Sequence, residues 1–281
     1  MSVQNNPIDL MITSLETYTA FDISSGALKW IADELQDGKI TNNEETTDIT
    51  GKHGRLLNTM STSKSVTASA TSAIIVGGMM GSQVGSEFAY KGTDIKVPDY
   101  LTVASNKVTT TYSPVANSLV YAYIRNSDGS LGQEYKLSTT APTSGSHTFT
   151  AAAGTGDDAD KLVLTFYEGE LANGTELLVY YKRHIQANVL ENQSDKYAEK
   201  VVLYIDAIAE DKCNNVYRVQ IYMPRAAVSG NFEFDMGGNQ TTHNLEVKSL
   251  PYGCNTLGGK GLFWSYTVFG QAAPDYTEPT N

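Results

Sequence analysis

The sequence predicts a mainly β protein, and three observations support this prediction. Apolar and polar residues alternate through successive segments between residues 201 and 250, as in strands whose side chains point alternately to two faces. Tyrosine (17) and glycine (24) are abundant, together with Ser, Thr and Asn, which favours strands and turns over helices. Turn signals such as Asn126-Ser-Asp-Gly129 and Asn173-Gly174 separate the strand-like runs, as expected for hairpins.

The clearest alternation lies in residues 228–236. One predicted face is polar and consists of Ser229, Asn231, Glu233 and Asp235, whereas the other consists of Val228, Gly230, Phe232, Phe234 and Met236. This pattern predicts a strand with one dry and one wet face. The surrounding block predicts further strands at residues 200–209, 217–223, 242–249 and 262–269.

The N-terminal region is less regular. Residues 27–36 fit either a short amphipathic helix or a strand followed by a turn at Asp37-Gly38, and residues 66–70 predict a strand. Residues 41–54 carry Glu44, Glu45, Asp48 and Lys52 with little to bury, so we expect a long projecting loop.

One helix is predicted within residues 72–84. Its apolar residues recur at helical spacing, and Ser72 is a candidate N-cap. The Gly77-Gly78 pair lowers helix propensity, and it also allows another backbone to approach closely.

Four segments organise the chain. We expect residues 1–105 and 186–270 to form the two halves of one domain, residues 106–185 to form an inserted small antiparallel β module, and residues 271–281 to be a loose tail. The module's predicted strands lie at residues 119–124, 147–151, 162–167 and 176–181, and an immunoglobulin-like fold is one form that such a module takes. We expect residues 186–200 to connect the inserted module to the second half of the main domain, either as a short helix or as an irregular link.

Composition limits the possible functions. The net charge of −11 argues against tight phosphate binding, which needs clustered Lys and Arg. Cys213 and Cys254 are too far apart in sequence for a compact zinc site, and we expect two free thiols in or near the core. No secretory signal or long apolar span is visible, so we expect synthesis in the cytoplasm and no membrane partner.

No constellation indicates catalysis, a cofactor or a metal. The four histidines, His53, His147, His184 and His243, share no ligand spacing and are expected to be surface or packing residues. The acidic turn at residues 154–160 (GTGDDAD) fits a solvated turn better than a calcium site, because the EF-hand spacing is absent. Residues 258–261 (GGKG) precede a strand-like run rather than the helix that a phosphate loop requires.

At the C-terminal block the sequence resembles a known family. Residues 217–234 (YRVQIYMPRAAVSGNFEF) and 237–246 (GGNQTTHNLE) resemble the closing strands of tailed-bacteriophage major tail proteins, also called tail tube proteins. Residues 45–52 (ETTDITGK) and 64–70 (KSVTASA), followed by Gly77-Gly78 and Gly85-Ser86, resemble the N-terminal half of the same family. The matching order along about two-thirds of the chain is the strongest part of this resemblance.

The resemblance implies a tail-tube-type β-sandwich with one flanking helix, whose strands join those of neighbouring copies into a ring-forming barrel. Rings, usually of six copies, stack into a tube through which tape measure protein and then genomic DNA pass without specific binding. Implied partners are other copies, tail terminator and baseplate or tail-tip proteins, and a sheath only if the tail is contractile; we expect an uncovered, non-contractile tube with the inserted module outside. The candidate lumen-facing residues are Asn231, Glu233, Asp235, Asn244 and Glu246; the candidate inter-ring residues are Glu44, Glu45, Asp48 and Lys52.

Three alternatives remain. A head decoration or tail terminator protein would be another virion component, distinguished by its copy number. A secreted carbohydrate-binding or adhesion module would fit the inserted β unit and the many tyrosines, although no signal peptide accompanies them. A hydrolase would need a catalytic pair that the sequence does not present.

Overall fold

The computed structural model describes residues 9–233, 242–251 and 261–270. The chain forms two compact units. The first combines the described residues up to Phe88 with those from Leu190 onward, and the second is Ala89–Val189. Both are built from β-sheet, so the predicted mainly β class is confirmed. The predicted insert, residues 106–185, lies within the second unit.

In the described residues the chain forms fifteen strands and one α-helix. In chain order they are β1 (Met11–Asp22), β2 (Leu28–Ala32), β3 (Leu35–Thr50), β4 (Leu56–Ser72), α1 (Gly77–Val84), β5 (Ala89–Thr102), β6 (Lys107–Thr109), β7 (Tyr121–Arg125), β8 (Leu131–Leu137), β9 (Thr148–Ala153), β10 (Leu162–Phe166), β11 (Glu176–Val189), β12 (Lys200–Glu210), β13 (Val216–Val228), β14 (His243–Ser249) and β15 (Ser265–Gly270).

The first unit is an eight-stranded antiparallel sheet that branches at β13. The main path runs β2-β1-β12-β13-β14-β4-β3, and β15 pairs with β13 outside this path. The first part of β13 pairs with β15, whereas its last three residues pair with β14. A register shift opposite β12, between Val201 and Leu203, accompanies this change of partner. Bulges of this kind bend a strand, which allows one sheet to enclose its own core.

The core of the first unit is formed by side chains at every second position of its strands. In β14, His243, Leu245, Val247 and Ser249 are buried, while the residues between them are exposed. In β12 every second residue from Val201 to Ala209 is likewise buried. Tyr18 of β1 reaches across this core and donates its hydroxyl hydrogen to the carbonyl of Ser69 in β4, 3.3 Å away.

Helix α1 packs tightly against β2. A Cβ at Gly78 would lie 2.7 Å from Trp30 Cβ, so only glycine permits this approach, as the sequence predicted. Trp30 Nε1 donates to Ser82 Oγ at 3.1 Å, and Ser82 donates to Glu199, which also accepts from Lys29 Nζ at 2.8 Å. The predicted helix is therefore confirmed at Gly77–Val84. Its expected cap is wrong, because Ser72 is the last residue of β4.

The second unit is a seven-stranded sheet in the order β5-β11-β7-β8-β9-β10-β6. The prediction of a purely antiparallel module is wrong at one pair, since β8 and β9 run parallel. Strands β5 and β11 pair along their whole length, out to Ala89 and Val189. Inside the unit, Asp99 is buried and accepts hydrogen bonds from the Tyr181 hydroxyl at 2.6 Å and from the Thr111 backbone at 2.7 Å.

Residues 229–233 do not form the strand that was predicted for residues 228–236. Strand β13 ends at Val228, and no strand follows through Glu233; residues 234–236 lie outside the described residues. The Ser229 side chain accepts a hydrogen bond from the Asn231 backbone at 3.2 Å, a local turn that competes with strand pairing. Alternation alone could not reveal this local competition.

Three smaller predictions are also settled. Residues 28–32 form strand β2, which selects the strand alternative, but Asp37-Gly38 is a bulge inside β3 rather than a turn, with Asp37 at a φ of 53°. The link predicted for residues 186–200 is irregular only at residues 190–199, where the described chain has no helix, because residues 186–189 belong to β11 and Lys200 begins β12. Cys213 lies exposed in the turn after β12, so its predicted place in the core is wrong, while Cys254 lies outside the described residues.

His243 is buried in its neutral form, with the proton on Nε2. Gln83 Nε2 donates to the Asn244 carbonyl at 3.0 Å, so Gln83 Oε1 accepts from His243 Nε2, 2.7 Å away. His243 Nδ1 is buried without a hydrogen-bond partner among the described residues. A proton on Nδ1 would therefore add an uncompensated charge, and burial lowers the pKa of His243 below its usual range.

We expect this histidine to make the protein less stable in mild acid. The unfolded chain binds the proton near pH 6.5, whereas the folded chain resists it, so stability is constant above that pH and decreases as the pH falls below it. The melting temperature should therefore fall between about pH 7 and about pH 5.5, and His243→Gln should flatten this decrease. His53→Gln, which changes a histidine in the exposed turn after β3, is the control; equal slopes in both variants and the wild type would contradict the expectation.

Candidate assembly surfaces

Strands β3 and β4 form a hairpin that is much longer than its supporting sheet. They contain 16 and 17 residues. The neighbouring strand β14 pairs with β4 only from Ser72 to Val66. Beyond this point, residues 56–65 of β4 pair with β3 alone. At about 3.3 Å per residue, the unsupported part extends roughly 30 Å.

Residues 42–64 of this hairpin are called the distal hairpin below. Apart from the half-buried Gly51, its residues are exposed, so neither face packs against a core. The acidic side chains are held by hydroxyl groups of β4. Thr59 Oγ1 donates to Asp48 at 2.7 Å, Ser63 Oγ donates to Glu45 at 2.8 Å, and Ser61 donates to Glu44. These contacts fix the carboxylates along the hairpin while leaving them open to another partner.

The tip of the distal hairpin differs in character from its acidic strands. A short 3₁₀ turn, Lys52–Gly54, reverses the chain, and Lys52 and Arg55 supply positive charge. Four large apolar side chains are exposed close to it, those of Ile49, Leu56, Leu57 and Met60. Leu57 is 62% exposed. A cluster of this kind at the end of a projecting element indicates a contact surface.

The prediction of a loop at residues 41–54 is therefore wrong, although the segment does project. Glu44, Glu45 and Asp48 lie in strand β3, and Lys52 lies in the turn. The pattern gave no strand signal because both faces of this hairpin are wet, and alternation arises only where one face is buried. The remaining signal was the β-branched content of residues 46–50, which are Thr, Thr, Asp, Ile and Thr, since β-branched residues favour strands.

The five candidate lumen residues are only partly brought together. Asn244 and Glu246 share the exposed face of β14. Asn231 and Glu233 are exposed in the irregular segment after β13, where the Glu233 backbone donates to Asn244 Oδ1 at 2.6 Å. Asp235 lies outside the described residues.

The exposed face of β14 continues onto its neighbours as a polar surface. Glu246 lies opposite Ser69 of β4, and Asn244 lies opposite Thr71. On the next strand, Lys39 pairs with Ser69. Small hydroxyl side chains thus separate the charged ones across three strands.

Among the described strands, the sheet of the first unit has unpaired edges. Strands β2 and β3 end its main path, and β15 pairs on one side only within the described residues. Strand β3 is long and contains no proline. Such an edge presents a row of free backbone donors and acceptors, which another strand can pair with.

Sequence reasoning missed an aromatic row on the outer face of the same sheet. Phe21, Tyr204 and Tyr222 come from the adjacent strands β1, β12 and β13 and are half-buried. Their ring centroids lie 5.6 Å and 4.9 Å apart in turn. The residues alternate with core positions of these strands, but only the strand register shows that they form a row.

The remaining sequence candidates show only local contacts. In the acidic turn, Asp158 pairs with Lys161 at 2.7 Å. His147 lies 3.1 Å from Glu170, and His184 lies 2.8 Å from Asp94. Within the described residues, no group of three or more His, Cys, Asp or Glu side chains is arranged to hold a metal ion. No helix in the described ranges is long and apolar enough to cross a bilayer.

The fold and surfaces define a mainly β protein with open sheet edges and a projecting hairpin. The model of the YomU/Tube protein family matches residues 10–262, and the chain belongs to this family. This membership agrees with the resemblance to tail tube proteins, and it indicates a tube-type structural protein of a bacteriophage. No curated protein matches the chain.

Proposed function

We propose that the chain is the subunit of a phage tail tube and that it self-assembles into stacked rings of six copies. The observation that supports this most is the distal hairpin, which extends about 30 Å past its own sheet and packs against no core of the described residues. A strand pair of this length is marginal in water unless a further surface covers it. Another copy is the partner that a tube subunit always meets.

Ring closure would use the open edges of the first unit. Joining β3 of one copy to an edge strand of the next satisfies the free backbone groups, and a closed ring leaves no edge exposed. The distal hairpin would then contact the adjacent ring. Its tip carries basic and apolar side chains, so it is suited to a partner surface that has acidic and apolar side chains. The net charge of −11 indicates that every copy has acidic surface.

The lumen would be lined by a polar face. This role is supported by the exposed face of β14, with Asn244 and Glu246, and by the exposed Asn231 and Glu233. Carboxylates on such a face repel the phosphates of DNA and so prevent the DNA from binding to the wall of the lumen. Under this proposal the tape measure protein and DNA pass without specific contacts, the second unit decorates the outside of an unsheathed tube, and the subunit catalyses no reaction. Terminator and tail-tip proteins would close the two ends.

A single apolar residue at the hairpin tip tests the proposal. We expect Leu57→Asp to reduce tube formation at least tenfold, because it places a charge in an apolar contact between copies, a change typically worth 1–3 kcal/mol or more. Its own fold should be unaffected, since Leu57 touches no core. Negative-stain microscopy and sedimentation of the purified protein measure the result.

Leu131→Asp is the matched control, because Leu131 is 54% exposed but lies in the second unit. Tubes should form normally with this variant. Normal tubes from Leu57→Asp would argue against the hairpin contact. A wild-type protein that stays monomeric at high concentration would argue against the tube itself, and one ring per virion would indicate a terminator instead.

A further inference from the structure

The second unit carries four tyrosines on the sheet face opposite its core. Tyr100 comes from β5, Tyr180 from β11, and Tyr121 and Tyr123 from β7; these four residues are called the tyrosine platform. The register places Tyr100 and Tyr123 on either side of Leu178.

The platform is open to solvent, although its neighbours in sequence are buried. Tyr100 is 60% exposed, Tyr121 and Tyr180 are also exposed, and Tyr123 is half-buried. Leu177, Val179 and Ala122, which lie between them in sequence, are fully buried. The rings of Tyr121 and Tyr123 lie 6.3 Å apart at 35°. A depression of about 190 Å³ is lined by Tyr121, Tyr123 and Tyr180 together with Lys96. Contiguous exposed aromatic surface of this kind indicates a binding site.

Positive charge surrounds the platform. Arg125 lies 5.1 Å from the Tyr100 ring, Lys136 lies 5.9 Å from Tyr121, and Lys96 lies 5.4 Å from Tyr180. Lys182 belongs to the same outward-facing set on β11. Three carboxylates of the described residues lie nearby. Glu176 pairs with Arg125 at 2.9 Å, and Glu134 pairs with Lys136 at 3.4 Å. Asp94, on the same face two residues before Lys96, pairs with His184 at 2.8 Å.

Lys96 and Lys182 therefore remain as cations without a carboxylate within salt-bridge distance among the described residues. This local positive charge contrasts with the net charge of −11 on the chain. It favours a ligand that carries negative charge.

The chemistry of the surface narrows the ligand further. A flat ring with an apolar face and polar edges matches tyrosines, which combine an apolar ring with a polar hydroxyl. The Tyr123 hydroxyl is hydrogen-bonded to Glu134. Sugar rings and nucleobases both have this character. A nucleic acid carries one phosphate per nucleotide and needs several cations, but the platform offers two unpaired lysines on an acidic protein. A polysaccharide with widely spaced acidic groups satisfies both conditions, because its sugar rings can stack on the tyrosines and its few charges match the two unpaired lysines.

We propose that the tyrosine platform binds an acidic polysaccharide, with sugar rings stacked on the tyrosines and carboxylates directed to Lys96 and Lys182. The site lies entirely within Ala89–Val189. It therefore does not depend on tube assembly, and it stands or falls separately from the proposed function.

Calorimetric titration of the full-length protein with a hyaluronan oligosaccharide tests this inference. Each of Tyr100→Ala and Tyr121→Ala should weaken binding about fivefold, the effect of losing one aromatic contact. Lys96→Gln combined with Lys182→Gln should weaken it further and reduce its salt dependence between about 50 mM and about 500 mM NaCl. Tyr90→Ala is the control, because Tyr90 is 73% exposed on the same strand but lies outside the platform; its binding should match the wild type.

Three comparison results would overturn the proposal. Equal binding of a neutral chitin oligosaccharide would remove the role of charge. Tighter binding of an oligothymidylate would identify the surface as a nucleic-acid site. Binding that is absent, or unchanged in the platform variants, would show that the tyrosines do not form a site. Circular dichroism of each variant confirms that the fold is retained.

Discussion

Deleting residues 44–64 and joining Asn43 to Ser65 through an Asn-Gly turn is expected to abolish tube formation and leave the subunit folded. Asn43 and Ser65 are paired in the hairpin register, so a two-residue turn closes the shortened strands without a shift. The deleted residues contribute nothing to the hydrophobic core of the first unit, whose hairpin members Val66, Ala68 and Ala70 all remain.

We expect the melting temperature of this variant to change by less than about 4 °C, equivalent to roughly 1 kcal/mol. The loss of tubes should be complete, because all the proposed contacts of the distal hairpin with another ring are removed at once. Electron microscopy gives the assembly state, and circular dichroism gives the fold. Shortening the exposed turn at residues 126–130 in the second unit is the matched control and should leave tubes intact; tubes formed by the hairpin deletion would refute its proposed role.

The largest stability effect is expected at Gly85, where α1 ends. Gly85 has a φ of 70°, and a Cβ there would lie 2.1 Å from the backbone oxygen of Tyr197. The backbone of Ser86 donates to the Gly81 carbonyl at 3.0 Å, which completes the helix end. A side chain at Gly85 must therefore adopt an unfavourable backbone conformation and also displace a second backbone segment.

Gly85→Ala should lower the free energy of unfolding by about 3 kcal/mol, of which about 1 kcal/mol comes from the left-handed conformation and the rest from displacement of residue 197. Gly26→Ala separates the two contributions, because Gly26 has a φ of 68° but nothing within 4 Å of the added Cβ. It should lose only about 1 kcal/mol. Trp30 and Trp264 both belong to the first unit, so tryptophan fluorescence in urea reports its unfolding; equal losses in the two variants would contradict this account.

Segments with one buried face were predictable from the sequence. Strands β12 and β14 alternate strictly because their inward side chains form the core. Helix α1 was predicted from its apolar spacing, and the close approach at Gly78 from the paired glycines. In each case a single local pattern coincides with a single buried surface.

The apolar and polar pattern did not predict the structure of the distal hairpin or of residues 229–233. The distal hairpin lies in solvent on both faces, so its strands leave no periodic signal, although its residues were correctly expected to project. Residues 229–233 have a strand-like pattern but follow the local turn at Ser229. This segment leaves the sheet at Ser229, whose side chain accepts a backbone hydrogen bond that competes with strand pairing.

Surfaces assembled from several strands were the least predictable. The tyrosine platform and the row of Phe21, Tyr204 and Tyr222 each need the register of three strands before their members become neighbours. Alternation gives the face of each residue within its own strand. It does not give the residue that lies beside it on the next strand.

Helical reconstruction of tubes assembled from the purified protein would show whether the distal hairpin joins adjacent rings. We expect the distal hairpin of each copy to be covered by a copy in the adjacent ring, with Leu57 buried in that contact. Tubes in which residues 42–64 extend into solvent without touching another copy would contradict it.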